Sequence, residues 1–164
     1  MPLAGATLVR LSLGDMIAKS TSIVRGKVLD SGTAVSGTVI FTHYRVQVTE
    51  RLKGSGPAVV DLAMPGGAVN GIRQRYSGVP QFQPGDEYLF FLWTGKAGLT
   101  QVIGLTQGLF AVAAGGAGDP VVTRTSSHEL MLDAESHQPV KDQTLVMPLS
   151  ELRSRIAAGL KAGQ

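Results

Sequence analysis

Cysteine is absent from this chain of 164 residues. Without thiols the protein forms no disulfide bond, has no thiolate nucleophile and has no metal site that depends on a cysteine ligand. A domain of this length buries roughly two thirds of the surface that its unfolded chain exposes, so its core can be stable without a disulfide. The absence of cysteine therefore excludes these three kinds of chemistry. It does not indicate whether the protein works in an oxidising or a reducing compartment.

Charged residues are also scarce, at 16% of the chain against 43% hydrophobic residues. Soluble domains usually contain about 25% charged residues, so this composition indicates a globular and rather apolar chain. The chain has 15 basic and 12 acidic residues, and this net charge of +3 is too small to indicate a polyanionic partner. No uncharged apolar run approaches the roughly 18 residues that cross a bilayer, so no membrane span is predicted.

A short helix is predicted near the N-terminus, in the segment SLGDMIAKS. Leu13, Met16 and Ile17 have the spacing of one helical face. Ser12 precedes them as the expected N-cap, and Asp15 follows three residues later, which approximates a capping box.

A second helix is predicted at the C-terminal end, where Ser150 is expected to cap ELRSRIAAGLKA. Glu151 then falls in the first turn of the helix. One face of this helix would be apolar and would pack on the rest of the protein. That stripe consists of Leu149, Leu152, Ile156 and Leu160.

The clearest strand signal is a period of two between Ile40 and Lys53. Apolar residues at the even positions predict a buried face, and polar residues at the odd positions predict a face in water. Before it, SIVRGKVLDSG predicts a strand that ends in a turn at DSG, and after it AVVDLAMP predicts a strand that ends at Pro65. The even set is Ile40, Tyr44, Val46, Val48 and Leu52, and the odd set is His43, Arg45, Gln47, Thr49, Arg51 and Lys53.

The segment EYLFFLW is apolar on both faces. It is predicted either to be a central strand covered on both sides or to form part of a subunit interface. GKAG predicts the hairpin turn after it, and LTQVIGLTQGLFAV predicts one or two further strands with bends at Gly104 and Gly108. AAGGAGDP predicts another turn, VVTR and HELML predict short strands, and AESHQPVKDQ predicts polar surface.

Short strands at regular intervals, glycines at bends and one helix at each end favour a mainly β fold built as a small antiparallel barrel. A β-sandwich is the alternative. No internal repeat is visible, so residues 1–164 are predicted to form a single domain. Its barrel core would cover about 20–125, and a C-terminal extension with the second helix would cover about 126–162.

Signatures of catalysis and of metal binding are missing. No G-x-S-x-G elbow occurs, and the serines of DSG, GSG and YSG lie in predicted turns. His43 falls on the polar face of the long strand, while His128 and His137 match no zinc or calcium spacing. Asp86 lies beside a turn and is expected to hydrogen-bond the backbone. The sequence therefore predicts no metal and no cofactor, and it ranks a hydrolase or lyase last.

The stretch from Gly66 to Pro84 is a long connection that opens with GGAVNGIRQRYSG. Long ordered connections are often functional, but the absence of G-K-[ST] and of an evident helix argues against nucleotide binding. Two arginines here are predicted to meet an anionic or carboxylate-bearing partner, because a guanidinium offers a bidentate fork; the alternative is two solvated arginines on a hairpin. The basic strand face lacks interleaved aromatic residues, so nucleic acid is not expected. The candidate binding residues are Arg73, Gln74, Arg75 and Tyr76.

Five segments together carry a resemblance, namely SIVRGKV, YRVQVTERLKG, VVDLAMPGG, FQPGDEYLFFL and TQGLFAV. Over about Ser20 to Val112 the pattern resembles a group of uncharacterised bacterial exported proteins and, more distantly, the netrin-like OB-fold domains that include tissue inhibitors of metalloproteases. The resemblance implies a five-stranded Greek-key barrel, an exported location and a non-catalytic role. It does not extend to the inhibitors' mechanism, because they chelate zinc through an N-terminal cysteine and this chain starts Met1-Pro2.

The function expected on these grounds is that of a non-enzymatic binding or accessory domain of the bacterial envelope or extracellular space. A protein or peptide is favoured as its partner over a small molecule. The alternatives are a structural domain that homodimerises through YLFFLW or the C-terminal helix, and a protease-inhibitor-like module by analogy of fold. The location is expected to be periplasmic or extracellular, with the signal peptide absent from this sequence.

Overall fold

The computed structural model describes residues 7–115 and 118–163. Strands make up 48% of it and helices 14%, which confirms a mainly β fold with one helix near each end. The predictions for the first six residues and for part of the turn AAGGAGDP lie outside the described residues. In chain order the elements are β1 (Thr7–Val9), α1 (Leu13–Lys19), β2 (Ser22–Ser36), β3 (Val39–Lys53), β4 (Val59–Pro65), β5 (Gly67–Val69), β6 (Ile72–Gln74), β7 (Glu87–Thr94), β8 (Thr100–Val102), β9 (Leu109–Ala113), β10 (Val121–Arg124), β11 (Leu130–Leu132), β12 (Pro139–Val140), β13 (Leu145–Pro148) and α2 (Leu149–Ala162).

One large sheet of eight strands contains most of the fold, in the order β13-β10-β9-β7-β2-β3-β4-β8. Neighbouring strands pair antiparallel except β4 and β8, which are parallel and pair at one position, Leu62 with Thr100. The short strand β8 also pairs antiparallel with β7, where Leu92 lies opposite Val102. It therefore has a neighbouring strand on each side.

Two smaller sheets flank the large one. In the first, β1 runs parallel to β11, and β11 pairs antiparallel with β12. The second is the hairpin of β5 and β6 inside the long connection, where the sequence predicted no regular structure. Its turn is made by Asn70 and Gly71, with φ of 50° and 80°. Positive φ at both central residues is the geometry of the tight hairpin turn that Asn-Gly favours.

Strand β7 separates two hydrophobic cores. Phe90 and Leu92 face one core, Leu89 and Phe91 face the other, and none of the four side chains is more than 1% exposed. Helices α1 and α2 cover the second core through a stripe that includes Met16 and the C-terminal residues predicted to be apolar. EYLFFLW is therefore a central strand covered on both faces. Both segments proposed as dimer seams bury most of their apolar side chains in these cores, and Trp93 of the first segment is 48% exposed.

The predicted turn at DSG is wrong, because β2 continues through these residues as far as Ser36. Strand β3 is equally long and pairs with it to the end, and Arg45 Nε donates to Asp30 Oδ1 over 2.7 Å across the pair. This hydrogen bond lowers the pKa of Asp30 below its usual value. The turn comes instead at Gly37, with φ of 62°. We call the outer part of this hairpin, residues 29–41, the arm; residues 29–38 are all exposed.

The two helices begin differently from each other. At α1 the capping box is present as predicted, with Asp15 N donating to Ser12 Oγ and Ser12 N to the Asp15 carboxylate. At α2 the prediction of Ser150 as N-cap is wrong, because the helix begins at Leu149. The N–H of Leu149 donates to Pro120 O over 2.7 Å, which fixes the first turn one residue earlier. Ser150 Oγ is instead 2.6 Å from Asp119 Oδ2.

Several local predictions are confirmed. GKAG forms the turn between β7 and β8, closed by the bond from Gly95 N to Leu99 O. Gly104, with φ of 64°, lies in the bend between β8 and β9. The carboxylate of Asp86 accepts a hydrogen bond from Gln83 N over 2.8 Å, as expected for a residue beside a turn. VVTR and HELML contain β10 and β11, while the polar segment after them includes only the two residues of β12.

We expect Gly26→Ala to lower the free energy of unfolding by about 1–3 kcal/mol through overpacking. Gly26 lies at a register shift between β2 and β3, and a Cβ there would be 2.7 Å from Gln47 O and 2.6 Å from a methyl group of Val46. Gly32→Ala is the matched control in the same strand, since nothing lies within 4 Å of a Cβ at that position. Urea unfolding measures the stability of both variants. An equal loss of stability in the two would contradict this packing.

Candidate functional site

The residues predicted to bind a partner lie on β6 and immediately after it. Arg73, Arg75 and Tyr76 are exposed, whereas Gln74 is half-buried. Neither arginine forms an ion pair with any residue that the structure describes. The structure therefore brings the four residues to one surface, where the hydroxyl of Tyr76 donates to Gln74 Oε1 over 3.4 Å.

Gln74 joins the β5–β6 hairpin to the arm. Its Oε1 accepts a hydrogen bond from Ile40 N over 2.7 Å, and its Nε2 donates to Thr38 O over 2.8 Å. The amide group thus satisfies two backbone groups of the arm, one a donor and one an acceptor. This role holds the hairpin in place and leaves Gln74 little capacity to bind a partner.

Two further hydrogen bonds, one from the arm and one from β3, hold the hairpin in place. Thr33 Oγ1 donates to Ala68 O over 3.0 Å, and Thr42 Oγ1 donates to Gly66 O over 2.8 Å. The φ of Gly67 is 132°, and a Cβ there would lie 2.8 Å from the Thr42 hydroxyl. A glycine is thus required where the hairpin approaches β3, and the long connection is fixed on the fold along this side.

Arg75 and Tyr76 line a cleft of about 300 Å³, which we call the loop cleft. Its walls come from the ends of β3 and β4 and from the segment that follows β6. None of the described residues that line it is acidic, so Arg75 has no counter-charge among them. The other lining residues are Thr42, Tyr44, Met64, Pro65, Gly66, Gly67, Gln74, Val79, Pro80 and Gln81.

A larger cleft of about 490 Å³, which we call the seam cleft, opens between β4 and β8. The two strands pair only at Leu62 and Thr100, and the residues that follow on each strand form the opposite walls. Met64 and Pro65 belong to this cleft and to the loop cleft. Its lining residues are Lys19, Ala63, Met64, Pro65, Trp93, Gln101, Val102, Ile103, Gly104 and Leu105.

A third cleft, of about 440 Å³, is lined by many hydroxyl groups and is called the hydroxyl cleft. Tyr88 lies in its wall, and burial, with a smaller effect of the Asp86 charge, raises the pKa of the phenol. His128 and Glu129 also line it, and Glu129 accepts a hydrogen bond from Ser77 Oγ over 2.6 Å. The hydroxyl-bearing lining residues besides Tyr88 are Thr106, Thr123, Thr125, Ser126 and Ser127.

A buried ion pair positions one wall of the hydroxyl cleft. Arg124 and Asp142 have side chains only 8% and 4% exposed, with Arg124 Nη2 2.8 Å from Asp142 Oδ1. The other carboxylate oxygen accepts a hydrogen bond from Ser127 N over 2.7 Å. Burial lowers the pKa of Arg124, the charge of Asp142 opposes this effect, and Arg10 adds to it. The ion pair therefore connects β10, the cleft wall and the segment before β13.

Among the residues that the structure describes, none of the three histidines belongs to a group of three or more side chains that could ligate a metal. His43 Nδ1 lies 2.9 Å from Asp61 Oδ1 on the polar face of β3, and no histidine bonds a serine or threonine hydroxyl among the residues described. In the same part of the chain, no three His, Cys, Asp or Glu side chains are grouped as metal ligands would be. None of the helices described has the length and apolar character that crossing a membrane requires.

Comparison with protein-family models, with curated proteins and with solved structures finds no match to the chain. The clefts must therefore be interpreted from their own chemistry. Sequence reasoning missed the seam cleft, since its lining comes from α1, β4, β7 and the segment after β8. No signal in the sequence pointed to it, because the exposure of Trp93, at 48%, is visible only in the folded chain.

We expect Gln74→Ala to lower the free energy of unfolding by about 1–3 kcal/mol, because three hydrogen bonds are lost and the N–H of Ile40 loses its partner. Gln47→Ala is the control, because that side chain is exposed on the same sheet and makes no hydrogen bond with a described residue. Urea unfolding measures the stability, and hydrogen exchange of the Ile40 amide measures the anchoring. Unchanged exchange at Ile40 would show that Gln74 does not hold the hairpin.

Asp142→Ala should destabilise the protein by about 3 kcal/mol, because it leaves the charge of Arg124 buried without its counter-ion. The control is Asp30→Ala, which breaks an ion pair whose side chains are 51% and 58% exposed. This variant should lose far less stability. Thermal unfolding of the two variants gives the comparison. Equal losses would mean that the pair with Arg124 is not buried in solution.

Proposed function

We propose that the protein is a non-enzymatic binding domain, built on an OB-like barrel, whose surface at Arg73, Arg75 and Tyr76 binds a protein or peptide that carries carboxylate groups. Its location would be the periplasm or the extracellular space, in keeping with the resemblance of the sequence to bacterial exported proteins. The following features of the fold and of this surface support the proposal.

The order of strand pairing supports the barrel. Starting from β2, the neighbours are β3, β4, β8 and β7, and β7 pairs again with β2. A small Greek-key barrel of the OB type requires five strands in such a circuit. The third and fifth strands in chain order, here β4 and β8, must be parallel. Residues such as Val24, Tyr44, Leu62 and Phe90 fill one core and would be its interior.

The observation that carries the binding proposal is the anchoring of the β5–β6 hairpin. Gln74, Thr33 and Thr42 fix it by hydrogen bonds to the arm and to β3. A surface that is already ordered loses less conformational entropy when a partner binds. Arg73 and Arg75 are thus presented on a fixed element, without acidic partners among the described residues.

The composition of this surface also suits a protein partner. Ile72 is 62% exposed, Val35 on the arm is 55% exposed, and Tyr76 is 39% exposed. Aromatic residues and arginine are enriched among the residues that dominate binding energy at protein interfaces. Apolar side chains beside two arginines favour a partner that has both apolar and acidic side chains.

A phage-displayed library of random peptides tests the proposal. We expect the enriched sequences to contain Asp or Glu together with apolar residues. A synthetic peptide of that kind should lose about tenfold or more in affinity when Arg73, Arg75 and Tyr76 are all changed to alanine.

The control is the double variant Lys27→Ala and Lys141→Ala, which removes the same positive charge from exposed positions elsewhere. It should bind the peptide within about threefold of the unchanged protein, since distant surface charges act weakly. The assignment of this surface would be wrong if the triple variant bound as well as the control, or if acidic residues were not enriched.

A further inference from the structure

The seam cleft has the size and the walls of a small-molecule site. Its volume of about 490 Å³ lies within the range of roughly 300–1,000 Å³ that is usual for ligand pockets. Ala63, Met64 and Pro65 form one wall, and Val102 and Ile103 lie on the other. Because β4 and β8 pair only at Leu62 and Thr100, the fold itself separates the walls.

Trp93 is exposed directly after the four buried residues of its strand. Its side chain is 48% exposed, whereas Leu92 beside it is 1% exposed. Exposing a large aromatic ring to water forgoes the free energy of burial, roughly 25 cal/mol per Å² of apolar surface. A bound apolar group would cover that ring.

Leu105, in the same wall, has a backbone φ of 64°. A leucine in the left-handed region costs free energy that glycine would not, and such strained residues cluster at ligand-binding positions. The strained backbone conformation of Leu105 thus holds a large apolar side chain in the cleft wall.

Lys19 is the single charged residue that lines the seam cleft, and no acidic residue lines it. Lys19 forms no ion pair with a described residue. It is not needed at the end of α1 either, because Lys53 Nζ already donates to the carbonyl oxygens of Ile17 and Ala18, over 2.7 and 3.2 Å. The cleft therefore combines apolar walls with one available positive charge.

We propose that the seam cleft binds a free amphiphile that has an unbranched apolar chain and a single anionic head group, such as a medium-chain carboxylate. The chain lies between the β4 and β8 walls against Trp93, and the head group lies beside Lys19. This site is distinct from the surface at Arg73, Arg75 and Tyr76, and it stands even if that surface binds no peptide.

The only tryptophan of the chain lines the cleft, so its fluorescence reports binding directly. We would titrate the protein with octanoate, decanoate and dodecanoate, each below its micelle concentration. Trp93 emission should shift to shorter wavelength, and each added methylene should tighten binding about three- to fourfold. Decanol should bind about two- to fivefold more weakly than decanoate, and decyltrimethylammonium more weakly still.

Lys19→Gln tests the head group. This variant should weaken decanoate binding by about two- to fivefold and leave decanol binding unchanged. Lys141→Gln, at an exposed position outside the cleft, is the matched control and should change neither. Lys19 is exposed at the end of α1, so its replacement leaves the core intact.

Three results would overturn the proposal. The first is an affinity that does not depend on chain length, and the second is equal binding of decanoate and decyltrimethylammonium. The third is a response to vesicles of anionic phospholipid without any response to the free carboxylates, which would indicate a membrane surface as the ligand. None of these measurements depends on the peptide experiment, so the two proposals can fail separately.

Discussion

The burial of strand β7 on both faces is the constraint on which the rest of the structure depends. Alternate side chains of this strand enter two different cores, so the large sheet and the two helices must enclose it from opposite sides. Fully burying one Leu or Phe side chain contributes about 1.5–3 kcal/mol, and β7 supplies four of them in a row. With β7 inside, ligands must bind outside the two cores, and the loop and seam clefts both include residues of β4.

Local signals in the sequence predicted local structure well. The capping box at Ser12 and the turn at GKAG depend on residues a few positions apart, and both occur as expected. The Asn-Gly pair at Asn70 and Gly71 was also a local signal, and it was overlooked because the surrounding stretch has no sustained alternation. Reading that pair as a hairpin turn would have predicted β5 and β6 from the sequence alone.

The wrong predictions concern residues whose conformation is set by distant partners. DSG has the composition of a turn, but pairing with β3 and the hydrogen bond from Arg45 keep Asp30 in the strand. Ser150 is a good N-cap residue, but the hydrogen bond to Pro120 O starts the helix at Leu149. For the candidate site, composition identified the exposed arginines, whereas the anchoring role of Gln74 depends on the arm and could not be deduced from neighbouring residues. The clefts were unpredictable for the same reason.

The way in which the large sheet ends has a consequence for solubility. At one side β8 pairs with β7 and, at one position, with β4. At the other side the last strand is β13, which has four residues and ends at Pro148, a residue without an N–H to donate. Val146 on this strand is 62% exposed, and a longer edge of that kind would invite pairing with another chain. At β13, therefore, the main sheet ends in an edge too short to serve as a template for aggregation.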